Sequence, residues 1–433
     1  MRRIQLSTDT VQAHETYFYK KIVPSLEEAQ RRPAHPLTSE ILHSMKLKLA
    51  LHVHENRIQK EFSRQHRNFF SFVMKRYSTF ATGNLNELEA LHASIQQKFP
   101  LVYELIHHGD YKYHSNDSYA NYLNGVFGYS KFKVKDFFYY IKKKSCDELN
   151  KNHYSLDVQN KIVDILISNF PKLSKEINAC LGSRPLNVTE CEKGFRTLKR
   201  LNITMDNFKQ LDIFQKEWND YRFVMESGIR VCPYCNRQYI TPVLSDNGKM
   251  RSDIDHFLPK CDYPYFSMSL YNLVPVCKSC NQSLKGERKF TFASISPYED
   301  HIGDYFRFET DVLTNEISTV TKNSRDAIVR HLDVFKIECL YNYHQNQAAE
   351  LIKKRIAYPD DYIHRLYEEN KTLFNSKFEV KQQIVGFIDD EDRLNEEAFL
   401  KFRRDLAEQL GFLGSGNRLR IEALKKIVEK SKS

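Results

Sequence analysis

The sequence predicts an α+β protein that is mostly helical, and three observations support this fold class. Glycine and proline are scarce, at 14 and 13 copies in 433 residues, and long stretches have the apolar spacing of amphipathic helices. Between residues 228 and 297 the chain becomes rich in cysteine, proline and asparagine, with short alternating runs typical of strands. Helical patterns then return. We therefore predict a helical region over 1–227, a small core over 228–300, and a β-hairpin followed by helices over 301–433.

The N-terminal region is predicted to be helical from about residue 10 to 225. Within residues 46–77, basic side chains recur every three or four positions and therefore share one helix face. These side chains are Arg57, Lys60, Arg64 and Arg67. A second basic segment, rich in aromatic residues, spans 131–144. Both segments are candidates for phosphate contacts with a nucleic acid, although a solvated helix face is the simpler interpretation of each.

Turn signals predict two hairpins. Residues 237–244 and 250–258 flank the sequence SDNGK, and Asn-Gly between alternating runs is a strong hairpin signal. Residues 305–320 have the same alternating pattern. Residues 324–356 are then long and periodic, which predicts helix.

Composition and charge limit the class of protein. Apolar residues make up 41% of the chain and charged residues 28%, which indicates a globular protein. The net charge of +10 suits a polyanionic partner such as nucleic acid. The amino terminus lacks the apolar core of a signal peptide, and no apolar run has the length of a membrane helix, so we expect a cytoplasmic protein without a membrane partner. The nine cysteines are then expected to be reduced, and clustered cysteines are read first as metal ligands.

Four cysteines have the spacing of a structural zinc site. Cys232 and Cys235 form CPYC, and Cys277 and Cys280 form CKSC. Nine cysteines placed at random in a chain of this length would give only about 0.2 such pairs. Two thiolates from one tight turn can reach one ion, and two such turns complete a closed tetrahedral Zn²⁺ site. The alternative is four reduced cysteines with small packing roles.

A set of polar residues lies between and directly after these cysteine pairs. Asp255 and His256 precede a proline, Asn272 lies further along, and Asn281 directly follows the second pair. In this order they resemble the HNH, or ββα-metal, nuclease motif. The resemblance covers residues 229–290, about one seventh of the chain. It implies a core of two strands and a helix that is held together by the zinc site.

The residue types also fit the chemistry of phosphodiester hydrolysis, which needs an activated water and a cation for the charge that develops on the phosphate. His256 is the predicted general base, because imidazole titrates near neutral pH. Asp255 and Asn281 offer hard oxygen ligands, which suit Mg²⁺ or Mn²⁺. The resemblance implies that Asn272 hydrogen-bonds the backbone around His256, and that Asn281 faces the strand from a short helix. Asn281 stands where the family name expects histidine, which further favours Mg²⁺.

Neighbouring charged residues have two interpretations each. Asp253 shares a strand face with Asp255 and could support the metal ligands, but a solvent-facing strand residue is favoured. Lys285, Arg288 and Lys289 are predicted to contact nucleic-acid phosphate, with a solvated basic turn as the alternative.

The sequence therefore predicts an HNH endonuclease that hydrolyses DNA and, as the resemblance implies, leaves a 5′-phosphate. Residues 325–355 resemble HNH components of Septu-type and retron-associated anti-phage systems, which implies a role in antiviral defence with a partner ATPase or another defence protein. Helical arms on a stand-alone enzyme explain the flanks equally well. Two alternatives stay open: a non-catalytic zinc module that binds nucleic acid or protein, and an RNase that acts on RNA such as tRNA.

Overall fold

The fold is known from a computed structural model. It describes residues 1–107, 111–114, 117–133, 156–182, 184–201, 218–245, 248–322, 326–386 and 393–413. The described chain is mostly helical and contains four two-stranded antiparallel sheets. The predicted α+β class is therefore confirmed. Within the described ranges, no helix is both long and apolar enough to cross a membrane.

The chain divides into two compact units. The first consists of Met1–Phe127, Ser227–Thr241 and Ser252–Ser433, and the second of Gly128–Glu226 and Pro242–Arg251. The first unit contains every residue predicted for the functional site. The division of the sequence near residues 228 and 300 stays a prediction of domain boundaries.

Helices make up most of the described residues of both units. The N-terminal helices of the first unit are α1 Thr8–Tyr17, α2 Val23–Arg31, α3 Ser39–Lys48, α4 Glu55–Met74, α5 Tyr77–Thr82, α6 Leu85–Lys98, α7 Pro100–His107 and α8 Tyr119–Phe127. The second unit contains α9 Tyr129–Phe132, α10 Leu156–Asn169, α11 Ser174–Leu181, α12 Val188–Arg200 and α13 Asp220–Glu226. The C-terminal helices of the first unit are α14 Asp326–Val334, α15 Ile337–Asn342, α16 Gln345–Ala357, α17 Asp360–Glu369, α18 Lys377–Val385 and α19 Leu400–Gln409. The periodic stretch predicted over 324–356 is thus three helices.

The strands of the described ranges form four antiparallel pairs. They are β1 Lys112–His114 with β2 Asp117–Ser118, β3 Val243–Ser245 with β4 Gly248–Met250, β5 Asp253–His256 with β6 Leu273–Val276, and β7 Phe306–Thr310 with β8 Ile317–Thr321. Both predicted hairpins are confirmed as the β3–β4 and β7–β8 pairs. The first hairpin is shorter than predicted, because strand β5 pairs with β6, where Asp255 lies opposite Val274. Since β6 is buried along its whole length, its apolar side chains favour this pairing.

Helix α4 has the amphipathic pattern that the sequence predicts. Ile58, Phe62 and Phe69 are buried, whereas the four basic residues Arg57, Lys60, Arg64 and Arg67 are exposed. The helical pattern predicted over 46–77 is interrupted between the end of α3 at Lys48 and the start of α4 at Glu55. Apolar residues of this connection line a cavity of about 620 Å³, together with the side chains of Arg57, Lys60 and Arg64. The role of this face in nucleic-acid binding stays a prediction. The second basic segment lies outside the described residues beyond residue 133.

The N-terminal helices hold the chain between β5 and β6, residues 257–272, which we call the site loop. The ring of Phe69 in α4 lies 6.2 Å from that of Tyr265, edge to face. The hydroxyl of Ser269 donates to the carbonyl oxygen of Phe80 at 2.6 Å. Because both loop residues are fully buried, the conformation of the site loop depends on helices far away in the sequence.

Two buried histidines make the stability of this unit sensitive to acid. Nε2 of His14 lies 2.8 Å from the carbonyl oxygen of Met268, and Nε2 of His331 lies 3.0 Å from that of Tyr234. Burial lowers the pKa of both imidazoles from 6.5 to about 4. Between these pH values the unfolded chain binds protons that the folded chain does not. The contribution of each histidine to the free energy of unfolding is therefore fully present above the unfolded pKa of 6.5. It decreases as the pH falls below this value, by about 1.4 kcal/mol per pH unit for each histidine.

We expect His331→Gln to reduce this dependence on pH by the share of one histidine, because glutamine does not bind a proton. The free energy of unfolding of both proteins is measured by urea denaturation from about pH 7 to about pH 5. His43, which is exposed in α3, is the matched control, and His43→Gln is expected to leave the slope unchanged. Equal slopes for His331→Gln and the wild type would contradict this prediction.

Candidate functional site

Four buried cysteine side chains come together, although the two C-x-x-C turns that carry them are far apart in the sequence: Cys277 follows Cys235 by 42 positions. The Sγ atoms of Cys232, Cys235, Cys277 and Cys280 all lie within 4.8 Å of one another. Across the two turns, the Sγ atoms of Cys235 and Cys277 lie 3.9 Å apart. Four thiolates bound to one zinc ion at about 2.3 Å lie about 3.8 Å apart in a regular tetrahedron. The group therefore has the donor set and spacing to hold a metal ion such as zinc, as the sequence predicts.

The backbone around the first cysteine turn explains why these side chains converge. Val231 and Tyr239 form an antiparallel bridge, and the amide of Cys232 donates to the carbonyl oxygen of Gln238 at 2.9 Å. The turn closes at Asn236, which has a positive φ of 52° that asparagine tolerates better than most residues. In the second turn, the amide of Cys280 lies 3.4 Å from Sγ of Cys277, so it is directed at the sulfur.

Burial disfavours the thiolate form of Cys232 unless a cation is bound. Burial is the main cause that raises the pKa of the Cys232 thiol well above its ordinary value. A metal ion would reverse this effect, because it binds the thiolate and releases the proton. The cluster would then stabilise a small region whose strands are too short to fold alone.

His256 ends strand β5 and is buried, with 8% of its surface exposed. Its Nε2 atom lies 2.9 Å from the carbonyl oxygen of Ser267 in the site loop. A carbonyl oxygen only accepts, so Nε2 carries the proton, and in the neutral ring the lone pair lies on Nδ1. The site loop therefore fixes both the orientation and the tautomer of this imidazole.

Asn272 is fully buried and holds the backbone just after His256. Its Oδ1 atom accepts from the amide of Leu258 at 2.6 Å, and its Nδ2 atom donates to the carbonyl oxygens of Leu258 and Phe266 at 3.2 and 2.9 Å. Asn272 therefore hydrogen-bonds the backbone of Leu258, two residues after His256. These hydrogen bonds close the site loop into a compact turn beside His256.

Asp255 is buried and takes part in an ion pair. Its Oδ2 atom accepts from Nζ of Lys285 at 2.6 Å and from the hydroxyl of Tyr234 at 2.7 Å. Lys285 also donates to the carbonyl oxygen of His256 at 2.8 Å. Burial lowers the pKa of Lys285 and the carboxylate opposes this change, whereas burial first and Asp255 second raise the pKa of Tyr234. Among the described residues, Oδ1 of Asp255 has no hydrogen-bond partner.

Asn281 lies on a π-helical turn over Ser279–Lys285, which we call the site helix, and it faces strand β5. Its Nδ2 atom donates to Oδ2 of Asp253 at 3.0 Å, and Nε2 of Gln282 donates to the same oxygen at 2.9 Å. The favoured interpretation of Asp253 as a solvent-facing strand residue is therefore wrong. Asp253 is half-buried and bonds the site helix, because its position in β5 lies opposite Val276, directly before the second cysteine turn.

The three basic residues predicted to contact phosphate differ in exposure. Arg288 and Lys289 are exposed, and Lys289 pairs with Asp262 at 2.7 Å. For Lys285, the expectation of a phosphate contact is wrong in this structure, since its side chain is 4% exposed and its ammonium group binds Asp255. The site helix directs Lys285 inward, a direction that a basic segment in the sequence does not reveal.

The two lysines allow a matched test of the buried ion pair. We expect Lys285→Met to lower the free energy of unfolding by about 3–5 kcal/mol, because it leaves a buried carboxylate without its cation. Lys289→Met removes an exposed ion pair and is expected to cost at most about 1 kcal/mol. Urea denaturation at neutral pH measures both. Similar small losses for the two variants would show that Asp255 does not depend on Lys285.

The structure adds residues that the sequence reasoning did not single out. Tyr234 lies inside the CPYC turn and donates to Asp255, and Asn236 directly follows this turn. The side chain of Asn236 donates to the carbonyl oxygen of Leu394 at 2.8 Å and accepts from the amide of Lys401 at 3.1 Å. These contacts connect the cysteine cluster to the C-terminal helices. The sequence does contain a signal for Asn236. An asparagine directly after a C-x-x-C turn indicates a residue with left-handed backbone conformation that ends the turn.

Comparisons with known proteins give one similarity of limited extent. No protein-family model matches the chain, and no solved structure matches it. Protein ea31 of Escherichia phage lambda is 34% identical to the chain over 131 residues, which is 29% of this chain and 36% of ea31. The chain thus covers about a third of the length of ea31, and the similarity concerns part of each protein.

Proposed function

We propose that the chain is a metal-dependent endonuclease of the HNH, or ββα-metal, type that hydrolyses phosphodiester bonds in DNA. One observation carries the proposal: His256 is held by the carbonyl oxygen of Ser267 at 2.9 Å, on the same short strand as two carboxylates, one of which contacts Asn281. The cysteine cluster lies at the start of the helix that carries Asn281. Base, carboxylate and amide therefore belong to one small unit of two strands and a helix.

In the proposed reaction His256 acts as the general base. With its proton on Nε2, the neutral ring accepts a proton from the attacking water at Nδ1. Asn272 keeps the turn after His256 rigid, and Lys285 holds the backbone carbonyl of His256 itself. A base that is fixed in this way does not need to reorganise during the reaction.

The proposed ligands of the catalytic cation are Asp255 and Asn281. The donor set fits Mg²⁺ or Mn²⁺, because both residues offer hard oxygen atoms and Oδ1 of Asp255 has no partner in the described part of the chain. When bound, such an ion supplies positive charge against the charge that develops on the phosphate. Asp255 is kept in place by Lys285 and Tyr234, and Asn281 by Asp253.

DNA is the proposed substrate, with a 5′-phosphate on the product. The net charge of +10 and the exposed side chains of Arg288 and Lys289 near the site helix support a polyanionic substrate. A role in anti-phage defence, with a partner ATPase, is the biological context that we propose for this activity. Zinc in the cysteine cluster is proposed to be structural.

The direct test is to incubate the purified chain with plasmid DNA and with total RNA, with Mg²⁺ or Mn²⁺ and then with EDTA. We expect nicked or linear DNA only when the divalent ion is present. Degradation of RNA with intact plasmid would instead support the RNase alternative. Intact DNA and RNA under all conditions, also after addition of ATPases encoded beside the protein, would contradict a nuclease.

A non-catalytic zinc module is the second candidate, and the buried ion pair of Asp255 favours it. Asp255, Lys285 and Asn272 are all buried and hydrogen-bonded, as purely structural residues are. Both candidates predict the cysteine cluster and bound zinc. Only the nuclease depends on His256 for more than stability, so activity of a His256 variant separates the two.

A further inference from the structure

We infer that Asp253 is a positioning residue: it orients the side-chain amide of Asn281 so that the carbonyl oxygen, and not the nitrogen, faces the catalytic cation. This inference rests on the proposed function and deepens it. It gives a role to a carboxylate that would otherwise be an ordinary polar residue at the start of strand β5.

The orientation follows from what each group can donate. Oδ2 of Asp253 lies 3.0 Å from Nδ2 of Asn281 and 2.9 Å from Nε2 of Gln282. An ionised carboxylate only accepts hydrogen bonds, so the side-chain NH₂ group of Asn281 must face Asp253. Because the two polar atoms of an amide lie on opposite sides of its carbon, Oδ1 of Asn281 then points away from Asp253.

Orientation decides whether asparagine can bind a metal ion at all. The two rotational states of its side-chain amide have nearly the same shape, but only Oδ1 has a lone pair that a hard cation can use. Without a fixed partner, Asn281 would populate both states, and part of the population would direct its NH₂ group at the cation. A carboxylate on the opposite side removes this second state.

Asp255 shows the same arrangement at the other proposed ligand. Its Oδ2 atom is held by Lys285 and Tyr234, and its Oδ1 atom makes no hydrogen bond to the described residues. Each proposed ligand thus has one polar atom fixed by the protein. Residues that orient metal ligands typically contribute about 10–100-fold to metal affinity, and we expect a contribution of this size from Asp253.

The test measures Mn²⁺ binding to the full-length, zinc-loaded chain by the electron paramagnetic resonance signal of free Mn²⁺, without any need for catalysis. Asp253→Asn is expected to weaken Mn²⁺ binding at least about tenfold, because an amide at position 253 no longer selects one orientation of Asn281. The double variant Asp253→Asn with Asn281→Asp exchanges the two groups at constant net charge. It is expected to recover most of the affinity, since a carboxylate at position 281 presents oxygen in either orientation.

Two further variants serve as controls. Asp262→Asn removes one negative charge, as Asp253→Asn does, but from the site loop. Because Asp262 pairs with Lys289 and not with Asn281, Mn²⁺ binding is expected to stay within about twofold of the wild type. Asn281→Ala tests the proposed metal site itself and is expected to weaken binding as much as Asp253→Asn does, or more. Zinc content and melting temperature show that each variant is folded.

The outcomes separate the inference from the proposed function. If Asn281→Ala binds Mn²⁺ as the wild type does, the proposed metal site is wrong and the role of Asp253 is lost with it. If Asn281→Ala weakens binding but Asp253→Asn does not, only the inference fails. If Asp253→Asn weakens binding and the exchanged pair does not recover it, Asp253 is itself a ligand, and the orienting role is overturned.

Discussion

Replacement of His256 by alanine is expected to reduce cleavage of DNA by at least about a hundredfold, because general bases contribute about 10²–10⁴-fold to such reactions. The proton on Nε2 is held by the carbonyl oxygen of Ser267, so the predicted base is the opposite nitrogen of the ring. Initial rates of plasmid nicking at saturating Mg²⁺ measure the effect. The affinity for DNA is expected to change little, since His256 is buried.

His256→Gln distinguishes loss of the base from loss of stability. A glutamine side chain has a nitrogen at the level of Nε2 and can still donate to the carbonyl oxygen of Ser267, but it does not accept a proton from water at neutral pH. It is expected to be as inactive as the alanine variant, with a melting temperature closer to that of the wild type. His43→Ala, on the exposed face of α3, is the control for an ordinary histidine and should cleave normally. Cleavage by either His256 variant at the wild-type rate would exclude His256 as the base.

The cysteine cluster was predictable from the sequence because its geometry is local. A C-x-x-C spacing by itself forces two sulfur atoms to one side of a tight turn. Only the meeting of the two turns depends on tertiary structure. Tyr234 in the first turn donates to Asp255 in β5, and β5 pairs with β6, which leads into the second turn. Fold class was predictable for a similar reason, since the period of apolar residues along α4 is a property of that segment alone.

The partners of the charged side chains were not predictable in the same way. Asp253 and Asp255 occupy the same strand face, so alternation cannot decide which of them meets Asn281 and which meets Lys285. The turn of the site helix decides it, and that turn is π-helical rather than α-helical. Ion pairs between residues 30 positions apart carry no local signal. A lysine beside other basic residues therefore suggested solvent, although Lys285 is buried.

Removal of zinc is expected to lower the stability of the first unit strongly. We expect the purified chain to contain an equimolar amount of zinc, and Cys277→Ser to lose it. The strands around the cluster are short, and structural zinc sites supply about 10–16 kcal/mol of apparent binding energy in small peptides. Even a fraction of this binding energy is large compared with the stability of a protein domain. We expect the free energy of unfolding to fall by more than about 3 kcal/mol, which corresponds to a decrease of roughly 10 °C in melting temperature. Elemental analysis and thermal denaturation measure the two quantities.

Cys261→Ser provides the matched control, because Cys261 is exposed and lies outside the cluster. The same chemical change there is expected to leave zinc content and melting temperature unchanged. The effect of Cys277→Ser must also extend to the proposed metal site. Val276, directly before Cys277, lies opposite Asp253 in the β5–β6 pair, and Asn281 directly follows Cys280. We therefore expect Mn²⁺ binding to be lost together with zinc. A zinc-free Cys277→Ser variant with wild-type stability and Mn²⁺ affinity would show that the four sulfur atoms are packed thiols and that the site is built without them.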